Sequence, residues 1–135
     1  MARPAFGGRI GRDWRDSEPW WPPDPGPPDG APNVALIVLD DVGFAQLGCY
    51  GSDIDTPNID RLAAGGLRLT NFHTTALCSP TRACLLTGRN HHRSGMGRVA
   101  DLAMGYPGYS GTPPKENGYL SEMLRAHGYA TYAVG

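Results

Sequence analysis

The run NVALIVLD, residues 33–40, constrains this chain more than any other segment. Six consecutive apolar residues, Val34 to Leu39, stand between Pro32 and the acidic pair Asp40-Asp41. A continuous apolar run of this kind predicts a strand buried on both faces, as in a parallel sheet. A Gly-rich turn region, DVGFAQLGCYG, follows. Thr56 and Pro57 then open a helix, with Thr56 at the N-cap and Pro57 at the first helical position. Ile59, Leu62 and Ala63 share one face of it, and Gly65-Gly66 stop it. LRLTNFH, residues 67–73, alternates apolar and polar side chains and predicts a second strand. A short helix is expected over 80–87, closed by Gly88. A loop rich in Gly, Pro and Tyr follows from about residue 89 to 117. Leu120, Met123, Leu124 and His127 mark a third helix ended by Gly128, and YATYAV predicts a last strand. The order β-α-β-α-β argues for an α/β fold with a largely parallel sheet flanked by helices.

The first 32 residues follow a different logic. Eight of the thirteen prolines and all three tryptophans fall there. The stretch WWPPDPGPPDGAP excludes a helix or a central strand, because proline fixes φ and removes a backbone donor. A plain linker would be polar, yet Trp14, Trp20, Trp21 and Phe6 are costly to leave in water. Residues 1–32 therefore read as a Pro/Trp-rich arm docked on a body beginning at residue 33, with a disordered tail as the alternative.

Bulk properties exclude several functions. The net charge of −1 offers no basic excess for nucleic acid or a membrane surface. The sequence contains no apolar run long enough to span a membrane. MARPAFGGRIGRDW lacks the apolar segment of a secretory signal, which makes cytoplasmic residence the expectation. Three cysteines, an odd number, do not suggest a disulfide framework.

The chemistry concentrates in CSPTRACLLTG, residues 78–88. A cysteine stands where helices usually start with Ser, Thr or Asp. Free N–H groups and the helix dipole make such a start a site for sulfate or phosphate, and the same setting favours a reactive thiol. Arg82, four residues on, projects from nearly the same face as Cys78. Its guanidinium can pair with an anion or hold the nucleophile. Asp40 and Asp41 lie at the C-terminal end of the first expected strand, where open α/β sheets bind their ligands. Adjacent carboxylates repel unless a cation or hydrogen-bond network separates them, and hard cations such as Ca2+ or Mg2+ take oxygen ligands. Taken singly, each feature has a plainer reading: a solvated turn, an inert buried thiol, a surface arginine.

Together they are distinctive. CSPTRACLLTG resembles the signature of the type I, formylglycine-dependent sulfatases, C-x-P-[ST]-R-x-x-x-L-T-G, at Cys78, Pro80, Thr81, Arg82, Leu86, Thr87 and Gly88. VLDDVGF, residues 38–44, resembles the first metal-binding segment of that family. TPNIDRLAAGGLRLTNFHT resembles the segment between the two. The resemblance covers residues 33–135 and looks closest to the bacterial arylsulfatase branch, where NHHRSGMG also has counterparts.

The resemblance implies a partial alkaline-phosphatase-like sandwich. It also implies oxidation of Cys78 to formylglycine (3-oxoalanine) by a formylglycine-generating enzyme. The hydrate of that aldehyde would attack a small-molecule sulfate ester. Asp40, Asp41 and the modified Cys78 would hold Ca2+, with Mg2+ as the substitute, and Arg82 would orient the hydrate. An aldehyde hydrate can expel sulfate by C–O cleavage, whereas a serine ester would need a second attack at sulfur. Family members are several times longer, and they place a further Asp and Asn, a Lys and a His downstream. On that pattern residues 33–135 are the N-terminal part of a catalytic domain and the 135-residue chain alone is inactive. Two other readings stay open: phosphonate or phosphate ester hydrolysis, and a non-catalytic fragment.

The remaining candidates are plainer. Cys84 is expected in the helix core. Cys49 lies in a turn region, and His73 is expected to end a strand. His91 and His92 follow the signature helix and could line the cleft.

Overall fold

Three helices carry the regular structure of a computed structural model that describes residues 4–23 and 26–135: α1 (Pro57–Ala64), α2 (Cys78–Thr87) and α3 (Leu120–Ala126). Met1 to Arg3, together with Asp24 and Pro25 of the proline-rich stretch, lie outside the described residues. Contacts divide the chain into two compact units. One comprises Met1–Pro32 with Ser121–Gly135, and the other Asn33–Leu120.

The helix boundaries follow local chemistry. Pro57 takes the first position of α1, where its missing N–H costs nothing. Thr56 is the N-cap residue, but its hydroxyl does not cap a helical N–H. It accepts from the Gly48 N–H at 2.8 Å and donates to Asp60 Oδ1 at 2.9 Å, tying α1 to the turn Gly48–Tyr50. The half-buried face of α1 carries Ile59, Asp60 and Ala63, and Leu62 faces solvent, against the expected face. α2 begins two residues earlier than expected. Pro80 fits inside its first turn because the N–H groups there lack helical partners anyway. Gly88, at φ 65°, ends it, with its N–H on the Cys84 carbonyl at 2.8 Å.

The expected sheet is not formed among the described residues. Segments 33–40, 67–73 and 129–134 carry no strand, and the single bridge among the described residues pairs Arg9 with Glu18. Val34, Leu36, Ile37 and Leu39 are each about half exposed or more. The reason is physical. A strand buried on both faces needs hydrogen-bonded neighbours about 4.8 Å away and covering layers above and below. The described residues supply neither.

Within the first unit, residues 6–20 form a tight hairpin. Arg9 and Glu18 exchange backbone hydrogen bonds of 3.1 and 2.8 Å and pair through their side chains at 3.5 Å. Asp13 caps the turn Trp14–Asp16 by accepting from the Arg15 N–H at 2.9 Å. Phe6 meets half-buried Trp20 edge to face, with centroids 6.1 Å apart, whereas Trp14 and Trp21 face solvent. In the same unit the Tyr129 hydroxyl donates to the Pro32 carbonyl at 3.2 Å.

In the second unit the loop after α2 folds back on itself. Gly97 N–H donates to the Gly108 carbonyl at 2.8 Å, and Gly111 N–H to the Gly95 carbonyl at 2.9 Å. Gly95 sits at φ 71°, and a Cβ there would lie 2.8 Å from the Thr112 carbonyl oxygen. Gly95→Ala is therefore expected to destabilise this loop by roughly 1–3 kcal/mol. Faster amide exchange at Gly97 and Gly111, with exchange in α1 unchanged, would be the measured result.

Candidate functional site

The acidic pair is shaped by one unusual backbone angle. Asp41 has φ 52°, the one non-glycine residue at positive φ among those described. In an extended chain neighbouring side chains point to opposite faces. A left-handed residue breaks that alternation, and Asp is among the few types that tolerate it. Both Asp40 and Asp41 accordingly line the same cleft.

α2 supplies the facing wall. Leu77, at the N-cap, has no polar group, so no side chain caps the first N–H groups of this helix. Cys78 is the first helical residue and is exposed. One turn on, Arg82 Nη2 reaches Asp40 Oδ1 at 3.2 Å, closing a link across 42 positions of sequence. Both side chains remain substantially exposed, so the pair contributes only about 0–1 kcal/mol. Its consequence is placement: it sets the guanidinium beside the acidic turn.

Asp40, Asp41, Cys78 and Arg82 thus line one cleft of about 350 Å³. Its third wall is the segment Thr74 to Leu77, together with Thr81. Thr75 and Thr81 hold this wall to α2 through a hydroxyl–hydroxyl contact of 2.6 Å. Sequence reasoning passed over 74–77 because a connector without titratable groups carries no chemical signal. Among the described residues, no three His, Cys, Asp or Glu side chains converge as a ready metal cluster. The two carboxylates are the right donor type for a hard cation but fall short of the roughly six to eight oxygens Ca2+ takes.

The other candidates lie elsewhere. His91 lines a larger, mainly apolar cavity of about 1090 Å³ with Leu36, Phe72 and Leu85, and Cys78 is not part of that lining. His91 Nδ1 lies 3.0 Å from the Met96 carbonyl, which can only accept, so Nδ1 carries the proton. The His92 ring lies tilted against that of His91, with centroids 4.2 Å apart, and meets the Tyr109 hydroxyl through Nε2 at 3.3 Å. His73 pairs with Asn71 Oδ1 at 2.8 Å in a segment that forms no strand. Cys84 is half-buried on α2 and also borders the apolar cavity. Cys49 lies in the turn Gly48–Tyr50, where its carbonyl accepts from Arg68. No helix among the described residues is long and apolar enough to cross a membrane.

Comparison with known proteins agrees with the sequence resemblance. The sulfatase family model matches residues 32–135. An uncharacterized sulfatase of Schizosaccharomyces pombe is 44% identical over 111 residues, covering 77% of this chain and 20% of that protein. Human arylsulfatase A is 46% identical over 111 residues, with the same two coverages. Mouse steryl-sulfatase is 43% identical over 119 residues, covering 84% of this chain and 19% of that protein. The chain spans about a fifth of the length of these relatives. A cysteine-headed helix facing an acidic turn, under a family match that covers most of the sequence, places the chain in the sulfatase family, whose domain fold is of the α/β class.

Proposed function

We propose that this chain carries the nucleophile and the first metal-binding segment of a sulfuric ester hydrolase of the arylsulfatase type. The observation that carries the reading is the convergence of Asp40, Asp41, Cys78 and Arg82 on one cleft at an uncapped helix start. The names of the relatives, arylsulfatase and steryl-sulfatase, support a sulfate ester over a phosphate or phosphonate ester.

In this reading Cys78 is oxidised to formylglycine, and its hydrate is the nucleophile. One hydrate oxygen attacks sulfur and the alcohol leaves. The second hydroxyl then gives up its proton as the C–O bond breaks, releasing sulfate and restoring the aldehyde. The uncapped N–H groups of α2 would face the sulfate oxygens. Arg82, held by Asp40, would orient the hydrate and stabilise its ionised form. Asp40 and Asp41, with an oxygen on residue 78, would hold a divalent cation, Ca2+ or Mg2+. Such an ion would supply Lewis acidity toward the sulfate group. Residues 33–135 are then the N-terminal part of a catalytic domain, with 1–32 as an arm before it. Segments 33–40, 67–73 and 129–134 would become strands of its parallel sheet once paired with other parts of that domain.

The test is chemical. Produced together with a formylglycine-generating enzyme, the chain is expected to gain an aldehyde at Cys78 and at neither Cys49 nor Cys84. Hydrazide labelling with peptide mass spectrometry reads the position. A Cys78 left as thiol by an active modifying enzyme would overturn the proposal.

A further inference from the structure

α2 buries small side chains and leaves its leucines partly exposed. Pro80, Ala83 and Thr87 are the buried positions, spaced as one side of a helix, whereas Leu85 and Leu86 remain 38% and 42% exposed. Among the residues of the following loop, Ser94 has no exposed surface at all. A fully buried serine is rare unless its hydroxyl is satisfied, and the hydrogen bonds around it allow a single direction. The Thr87 hydroxyl lies 2.6 Å from the Ala83 carbonyl, which can only accept, so its one proton goes there. Thr87 Oγ1 must then accept from Ser94, 3.2 Å away, and it also accepts from the Arg89 N–H at 3.2 Å. Ser94, having donated its proton to Thr87, accepts from Asn117 Nδ2 at 3.2 Å. The chain of donors runs from Asn117 through Ser94 and Thr87 to the backbone of α2. It joins both ends of the loop to the last turn of the helix. At the first turn, Ser79 Oγ, beside Cys78, accepts from the Ala100 N–H at 3.3 Å.

We infer that Ser94 is a positioning residue: it clamps the 89–118 loop onto α2 through Thr87 and Asn117, and the clamped loop holds the helix start that presents Cys78. The clamp follows from the geometry alone. Its value for catalysis rests on the sulfatase reading of Cys78.

The test uses the full 135-residue chain with Cys78 unmodified. Thr87→Val removes the hydroxyl and keeps the shape, while Thr87→Ser keeps the hydroxyl and loses a methyl group. Asn117→Ala removes the outer donor from a part-buried position and does not depend on either Thr87 variant folding. Hydrogen exchange at Ser94 and Gly95 and the rate of iodoacetamide alkylation at Cys78, relative to Cys49, are measured together. Thr87→Val and Asn117→Ala are each expected to raise the exchange about five- to tenfold. Both should change relative alkylation of Cys78 in the same direction, and Thr87→Ser should match the parent chain. A Thr87→Ser chain behaving like Thr87→Val would show that packing, not the hydroxyl relay, holds the loop. Faster loop exchange with unchanged Cys78 reactivity would overturn the positioning role. Failure of aldehyde formation at Cys78 would remove the sulfatase reading without altering these contrasts.

Discussion

Cys78→Ala, introduced into a catalytic domain that carries this chain, is expected to lower kcat for 4-nitrophenyl sulfate by on the order of 10⁶-fold, the scale of losing a nucleophile outright. Folding should hardly change. Cys78 is exposed at the first position of α2, and alanine is a good helix former. Amide exchange in α2 would therefore stay at the parent level while turnover disappears. Cys78→Ser separates the two halves of the reaction. A serine can accept sulfate once, but its ester lacks the second hydroxyl whose proton loss drives C–O cleavage. One equivalent of 4-nitrophenol should appear, followed by a stable sulfate ester on the substituted side chain, visible by mass spectrometry. Multiple turnovers by the alanine variant would remove Cys78 from the chemistry.

The 135-residue chain by itself is expected to show no measurable hydrolysis of 4-nitrophenyl sulfate, with or without Ca2+, even when Cys78 is fully converted. Asp40 and Asp41 leave most of a calcium shell to water, so the ion would be loosely placed. A misplaced catalytic group costs on the order of 10²-fold per ångström-scale error. Apolar exposure acts in the same direction. Ile37 is 79% exposed, Leu67 94% and Phe72 69%, on segments whose sequence suits a buried sheet. Such surface favours self-association and binding of an apolar dye. The expected result is strong dye fluorescence and concentration-dependent light scattering at neutral pH. Calcium-dependent turnover at the level of a complete sulfatase would refute the expectation and show that this cleft suffices.

The helices and the strands were unequally legible, and the difference has a cause. The stop at Gly88, the proline start of α1 and the brief α3 follow from side chains within a few positions of each boundary, because helical hydrogen bonds are local. The strand-like segments were less legible for the opposite reason. NVALIVLD reports what such a segment needs, a partner on each side and a layer on each face. That need is met, or left unmet, by residues remote in sequence. Leu62 on α1 and Leu85 and Leu86 on α2 show the same limit: a leucine at a core-like position is buried only if something arrives to cover it.

The sequence by itself determined the chemistry of the site: a thiol at a helix start, an arginine one turn on, and two carboxylates after an apolar run. Spacing along a helix sets the relation of Cys78 to Arg82, with no tertiary contact required. Only the tertiary structure decided that Asp40 meets Arg82 at 3.2 Å and that a left-handed Asp41 turns both carboxylates into one cleft. It also decided that α2 buries its Pro80, Ala83 and Thr87 face beneath a loop held by Ser94. A pattern in sequence specifies which groups are available and how neighbours are oriented. Contacts across tens of residues arise from the path of the chain, and here that path is set by a left-handed turn and a buried hydroxyl relay.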